Sequence, residues 1–141
     1  MTVSRFFLTL SLFSFLLASC SPSMNPAPEP FRMVAYATDG IIENLIPYEK
    51  LTHINYSFLT PKADGTFNPI NNGWKLKQIA ENAHKHDVKV LISVGGWGWD
   101  TQFETVAADP SLRSVFVQNL KNFVDEYQLD GADIDWEYPC L

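Results

Sequence analysis

Apolar residues along this chain follow two alternating rhythms, one of strands and one of helices. Phe31–Thr38 alternates loosely and is bulky enough for a first strand, closed by Asp39-Gly40. His53–Leu59 (His-Ile-Asn-Tyr-Ser-Phe-Leu) predicts a second strand, bounded by Pro61 and an Asp64-Gly65 turn. Val88–Val94 is a nearly continuous apolar run, the pattern of a strand covered on both faces in a parallel sheet. Gly131–Trp136 predicts a fourth strand. Between them, Trp74–Lys85 carries Leu76, Ile79, Ala80 and Ala83 at helical spacing. Pro110–Tyr127 sets Leu112, Val115, Phe116, Leu120, Phe123, Val124 and Tyr127 on one stripe. Asp109-Pro110 supplies its N-cap and a proline at the first helical position. Ile41–Glu49 is interrupted by Pro47 and supports at most a short helix, while Gly95–Gln102 reads as a glycine- and tryptophan-rich loop. Strand, helix, strand, helix implies right-handed βαβ crossovers and a parallel α/β sheet. No internal repeat shows beyond that alternation.

The first thirty residues break the pattern. Arg5 gives a short positive start, and Phe6–Ala18 is apolar except for Ser and Thr. That run is too short to span a bilayer comfortably and reads as the apolar core of a signal peptide. Leu17-Ala18-Ser19-Cys20 resembles a bacterial lipobox, with Cys20 as the lipidated first residue of the mature protein. The alternative is an ordinary secretory signal cut near Ala18 or Ser19. The lipobox reading implies export across the inner membrane and a cell-envelope lipoprotein, held at the outer membrane or cell surface without crossing it. Ser21–Pro30, with four prolines in ten residues, reads as an extended linker. The expected organisation is therefore a leader over 1–20, a linker over 21–30 and a domain over 31–141. Cys20 and Cys140 are the two cysteines, and lipidation of the first leaves no disulfide.

Charge excludes one class of partner. The chain has 10 basic and 16 acidic residues and no basic stripe, so nucleic acid is not an expected ligand. Aromatics make up 13% of the chain; sugar rings pack against such faces, although aromatic residues more often build a core.

The chemistry concentrates at the end, in Asp130-Gly131-Ala132-Asp133-Ile134-Asp135-Trp136-Glu137-Tyr138-Pro139. Side chains alternate along a strand, so Asp133, Asp135 and Glu137 share one face and Ala132, Ile134 and Trp136 the other. Crowded carboxylates repel, which is expected to raise at least one pKa and suits a proton donor near neutral pH. A solvated acidic strand end is the bland alternative, disfavoured by the apolar residues between the acids. A calcium loop is disfavoured too, because its intervening positions are polar and its sixth is glycine. No metal or other cofactor is expected. His53, His84 and His86 form no ligand constellation.

This ten-residue stretch resembles the signature of the chitinases of glycoside hydrolase family 18. Ser93-Val94-Gly95-Gly96 resembles the Ser-x-Gly-Gly motif of the same family's third barrel strand. The likeness runs from about Phe31 to Pro139. It implies a partial (β/α)8 TIM barrel, the first four strand–helix units, since a complete barrel takes about 250 residues. It also implies that Glu137 is the general acid. The substrate's own N-acetyl oxygen would attack the anomeric carbon, Asp135 would hold the acetamido N–H, and Asp133 would share a proton with Asp135. That route is one of the exceptions to the two-carboxylate scheme.

The implied substrate is an N-acetylglucosamine-containing polysaccharide or oligosaccharide, cleaved at β-1,4 linkages. Tyr36, Phe58, Trp97 and Tyr138 are candidate substrate-binding aromatics, with core packing the alternative for Trp97. Ser93, Gly95, Gly96, Asp130 and Gly131 serve the fold, and Ser93 is placed to hydrogen-bond toward Asp133. The family's later strands supply further subsite residues that have no counterpart here. The 141-residue chain is therefore expected to be inactive or nearly so. Two rivals remain: an endo-β-N-acetylglucosaminidase acting on N-glycans, and a non-catalytic glycan-binding protein. Members of the latter kind usually lose the acid that Glu137 keeps.

Overall fold

In the computed structural model, residues Pro30–Pro139 are described; the leader, Cys20, nearly all of the linker and Cys140 lie outside them. Four strands, β1 (Val34–Thr38), β2 (His53–Leu59), β3 (Lys89–Trp97) and β4 (Gly131–Glu137), form one sheet in the order β1-β2-β3-β4. Every neighbouring pair is parallel. Helices α1 (Gly73–His84), α2 (Asp100–Ala108) and α3 (Pro110–Tyr127) connect the later strands. This is the strand–helix alternation of a partial barrel, as the hydrophobic rhythm predicted.

One face of the sheet carries the core. Ile54 and Tyr56 of β2 and Val90, Ile92 and Val94 of β3 are buried with Leu76, Ile79, Ala80 and Ala83 of α1. Those four α1 residues form the stripe read from the sequence. Sequestering Leu76 and Ile79 contributes roughly 1.5–3 kcal/mol each. Phe103 and Val106 of α2 and Phe116 of α3 complete the layer, with Phe103 stacked on Trp136 of β4 at 5.3 Å. The other face carries Tyr36, Asn55, Ser93 and the three acids. Sequence alternation thus separates packing from chemistry.

Element ends agree closely with expectation in some places and differ in others. Helix α3 begins and ends where predicted. The Asp109 carboxylate accepts the backbone N–H groups of Ser111 and Leu112, the cap that the Asp-Pro pair suggested. At its far end Gln128 takes a left-handed conformation (φ 55°), and the N–H of Leu129 returns to Val124 O at 2.9 Å. The region Ile41–Glu49 holds two single 3₁₀ turns, Glu43–Leu45 and Tyr48–Lys50, on either side of Pro47, which suits a proline-interrupted apolar segment.

The predicted loop Gly95–Gln102 is corrected. Strand β3 continues through Trp97, and α2 starts at Asp100. Pairing of Gly95, Gly96 and Trp97 with Asp135, Trp136 and Glu137 carries the strand through its glycines. The short helix buries only Phe103 and Val106, too few apolar positions to announce it in sequence. β1 also starts three residues later than the Phe31 boundary, and Phe31 and Met33 are exposed.

Candidate active site

The site starts from the parallel register of β3 and β4, which sets Ser93 opposite Asp133, Gly95 opposite Asp135 and Trp97 opposite Glu137. The alternation expected for the acids is present. Ala132 and Trp136 pack toward the helices, whereas Asp133 reaches the opposite face and meets Tyr36 and Ser93.

Asp133 is held from two sides. The Tyr36 hydroxyl, from β1, donates to Asp133 Oδ2 at 2.9 Å, and the fully buried Ser93 hydroxyl, from β3, donates to the same oxygen at 2.9 Å. Two donors on one oxygen fix the carboxylate's position and orientation. The Ser93 contact is the one anticipated; the Tyr36 contact gives that residue a second role beside any contact with substrate. Tyr36 is 57% exposed, so its ring also borders the open face.

The phenol of Tyr36 ionises above its ordinary value. Its hydrogen bond with Asn55 pulls the pKa down, but the bond to Asp133, burial and the charges of Asp133 and Asp135 together outweigh it. Tyr36 is therefore a firm proton holder beside the acids. Asn55 was not singled out in the sequence. It is a buried amide on a mostly apolar strand, and a buried polar side chain needs a partner. That rule was the available signal.

At the carboxyl end of the strands the aromatics gather. Trp97 is 76% exposed among the described residues. Its indole meets the Tyr138 ring edge-on at 6.0 Å, and Tyr138 is 50% exposed. Trp97 lies in register with Glu137, so an open aromatic pair flanks that acid. Phe58 is 42% exposed and sits at the register shift between Ser57 and Leu59. Trp99, by contrast, is partly buried against the core.

Two glycines make the approach of these groups possible. At Gly95 (φ +110°) an added Cβ would lie 2.4 Å from the carbonyl oxygen of Asp135 and 2.6 Å from Phe103. At Gly96 (φ +86°) it would lie 3.2 Å from the Phe58 ring. Both the backbone angle and the space exclude a side chain at Gly95.

Asp130, the first acid of the motif, works at the other end of β4. Its carboxylate accepts the Val90 N–H at 2.8 Å and the Lys89 ammonium at 2.8 Å, and lies 2.8 Å from His84 Nε2. Burial pushes its pKa up, but the Lys89, Val90 and His84 contacts outweigh this and hold it below the ordinary carboxylate value. Asp130 ties β4 to β3 and α1. Gly131 follows, packed near Leu91. Among the described residues, no three His, Cys, Asp or Glu side chains are grouped as a metal site, and no helix is long and apolar enough to cross a membrane.

A parallel strand–helix sheet with a carboxylate row ending at the mouth of its strands has the layout of a barrel-type enzyme site, in which reactive side chains sit at the carboxyl ends of the strands. The family model for glycosyl hydrolases family 18 matches residues 32–141, and the chain belongs to that family. Chitinase 1 of Aphanocladium album is 31% identical over 116 residues, covering 67% of this chain and 27% of that protein. Chitinase A1 of Niallia circulans is 44% identical over 75 residues, covering 53% of this chain and 10% of that protein. Among solved structures, a chitinase from Bacteroides thetaiotaomicron superposes with a TM-score of 0.68 at 37% identity, over 79% of this chain and 38% of that one. The chitinase domain of the spore coat protein CotE from Clostridium difficile gives 0.66 at 28%, over 90% and 34%. The chain thus spans between a tenth and about a quarter of the length of the curated relatives it matches.

Proposed function

We propose that this chain carries the acid-bearing half of a chitin-hydrolysing site, cleaving β-1,4 bonds between N-acetylglucosamine units with retention. The observation that carries the reading is the pinning of Asp133 by Tyr36 and Ser93 at the base of a ladder that ends at Glu137. Glu137, beside the open Trp97–Tyr138 pair, protonates the leaving glycosidic oxygen. The substrate's N-acetyl oxygen attacks the anomeric carbon, and Asp135 accepts the acetamido N–H and stabilises the positive intermediate. Asp133 shares a proton with Asp135 while its own position stays fixed. Water then opens the intermediate, with Glu137 as base. The chemistry demands an N-acetyl group on the sugar being cleaved. The chitinase relatives support chitin over N-glycans, and the presence of Glu137 supports catalysis over binding alone. Export and anchoring through a lipid on Cys20 belong to the same proposal.

The test grafts residues 31–139 onto the remaining strands of the Bacteroides thetaiotaomicron chitinase. Turnover of N-acetylglucosamine oligomers is expected, and Glu137→Gln is expected to lower kcat by about 10²–10⁴. A folded graft whose Gln variant cleaves undiminished removes Glu137 from its role. The 141-residue chain alone is expected to be inactive or nearly so; turnover matching the graft overturns that part.

A further inference from the structure

On the outside of the sheet, away from the acid ladder, an unusual surface lies between the segment after β1 and the start of α1. Trp74 occupies the first turn of α1 but falls off the buried stripe, and it is 64% exposed. Ile42, across from it, is also 64% exposed. Together with Ile41, Asn44, Lys75 and Gln78 they line a groove of about 270 Å³. That is just under the usual lower bound for small-molecule sites, room for a group of monosaccharide size.

The groove is built. The Lys75 ammonium donates to the carbonyl oxygens of Asp39 and Ile41, at 2.5 and 3.3 Å, and stands 5.9 Å from the centre of the Trp74 ring system. Asp39 in turn accepts from Asn72 and from the buried Tyr56. These bonds fasten the wall containing Ile41 and Ile42 to α1 and the sheet. Asn44 and Gln78 make no side-chain hydrogen bond with the described residues. The lining therefore offers one broad indole face, an aliphatic wall and two unengaged amides.

Its charge also selects an occupant. Lys75 is committed to backbone carbonyls, and Glu43 accepts from Asn82. With one cation and one anion both engaged, the groove suits a neutral ligand that combines apolar faces with hydrogen-bonding edges. Strand direction adds a position. The segment after β1 and the start of α1, which follows β2, both lie at the carboxyl end of the parallel strands, the end that carries Glu137.

We infer that the Trp74–Ile42 groove is a second glycan-binding site, taking one residue of a β-1,4-linked N-acetylglucosamine chain outside the catalytic cleft. The indole stacks on the sugar's C–H face, and Asn44 and Gln78 meet its hydroxyl and acetamido groups. The site holds polymer near the mouth without touching the reacting bond. The ligand class rests on the proposed chitin reading, whereas the groove itself does not.

The test titrates the ¹⁵N-labelled 141-residue chain with a soluble N-acetylglucosamine hexamer and follows the tryptophan indole N–H resonances. A Trp74→Phe variant assigns the Trp74 signal. A saturable shift at Trp74, retained in Trp97→Ala, is expected; a glucose hexamer should shift it at least tenfold less at equal concentration. Movement of Trp97 with a silent Trp74 overturns the second site and leaves the catalytic reading standing. Movement of Trp74 alone supports the second site and counts against substrate contact at Trp97. Silence at Trp74 overturns the second site whatever Trp97 does, and the catalytic reading is judged separately by the graft. Equal response to the glucose hexamer overturns the stated ligand class.

Discussion

Replacing Asp130 tests whether the first acid of the motif belongs to stability and not to chemistry. Its side chain is only 20% exposed, and it accepts a backbone N–H from β3 as well as the Lys89 and His84 contacts. Asp130→Ala leaves the Val90 N–H, on a fully buried residue, without its acceptor and removes a charged acceptor, a loss of about 2–3 kcal/mol. Lys89 stands in water at this site, and its ion pair is screened there. Asp130→Asn keeps a carbonyl for Val90 but exchanges a charge-assisted bond for a neutral one, so about 1 kcal/mol is expected. The pH dependence carries the sharper signal. The folded pKa lies below the unfolded one. The carboxylate's stabilisation is therefore complete above the unfolded value of about 4 and fades as pH falls through the lower, folded value. Urea unfolding of the wild type and the Asn variant, followed between pH 7 and acid, should show their difference shrinking toward zero at the acid end. A difference that is absent at pH 7, or that ignores pH, refutes this account of Asp130.

Gly95→Ala combines a positive φ with a Cβ 2.4 Å from a backbone oxygen. A loss of about 2 kcal/mol or more is expected in denaturant midpoint, since strained φ alone costs about 1–3 kcal/mol. Asp133→Asn removes a negative charge and leaves a neutral amide oxygen as the acceptor for the Tyr36 hydroxyl, so the Tyr36 phenolate transition should move down toward the ordinary value in an ultraviolet titration. Asn55→Ala should move it up, because the Asn55 bond lowers it. Expressed in a bacterium with labelled palmitate, the chain should incorporate label, and Cys20→Ala should abolish it; label retained in that variant removes the lipobox reading.

Much of the sheet was legible because its strands and helices use different periods. His53–Leu59 is recovered to the residue because its flanks are turn residues, and Pro110–Tyr127 because Asp109 and Pro110 mark its start. Helix α2 was not legible, since Phe103 and Val106 are its only buried residues and a Gly-Trp pair precedes it. The acid ladder could be read from alternation alone, and Ser93 from its motif. What could not be read was who meets whom across the sheet. Tyr36 stood out as an aromatic that would touch sugar, yet its hydroxyl reaches Asp133, and that depends on strand order and register. His84 looked unremarkable until the end of α1 came beside Asp130. Local pattern specifies elements; partners come from topology.

The Tyr36–Asp133 bond joins residues 97 positions apart, the span from the first strand to the fourth. Contacts of such reach form late, after the intervening chain has collapsed into order. The phenol is consequently a built-in gauge of assembly. A refolding sample in which the Tyr36 phenol, isolated by replacing the other tyrosines with phenylalanine, still titrates normally has not yet docked its last strand, whatever helix content its circular dichroism displays.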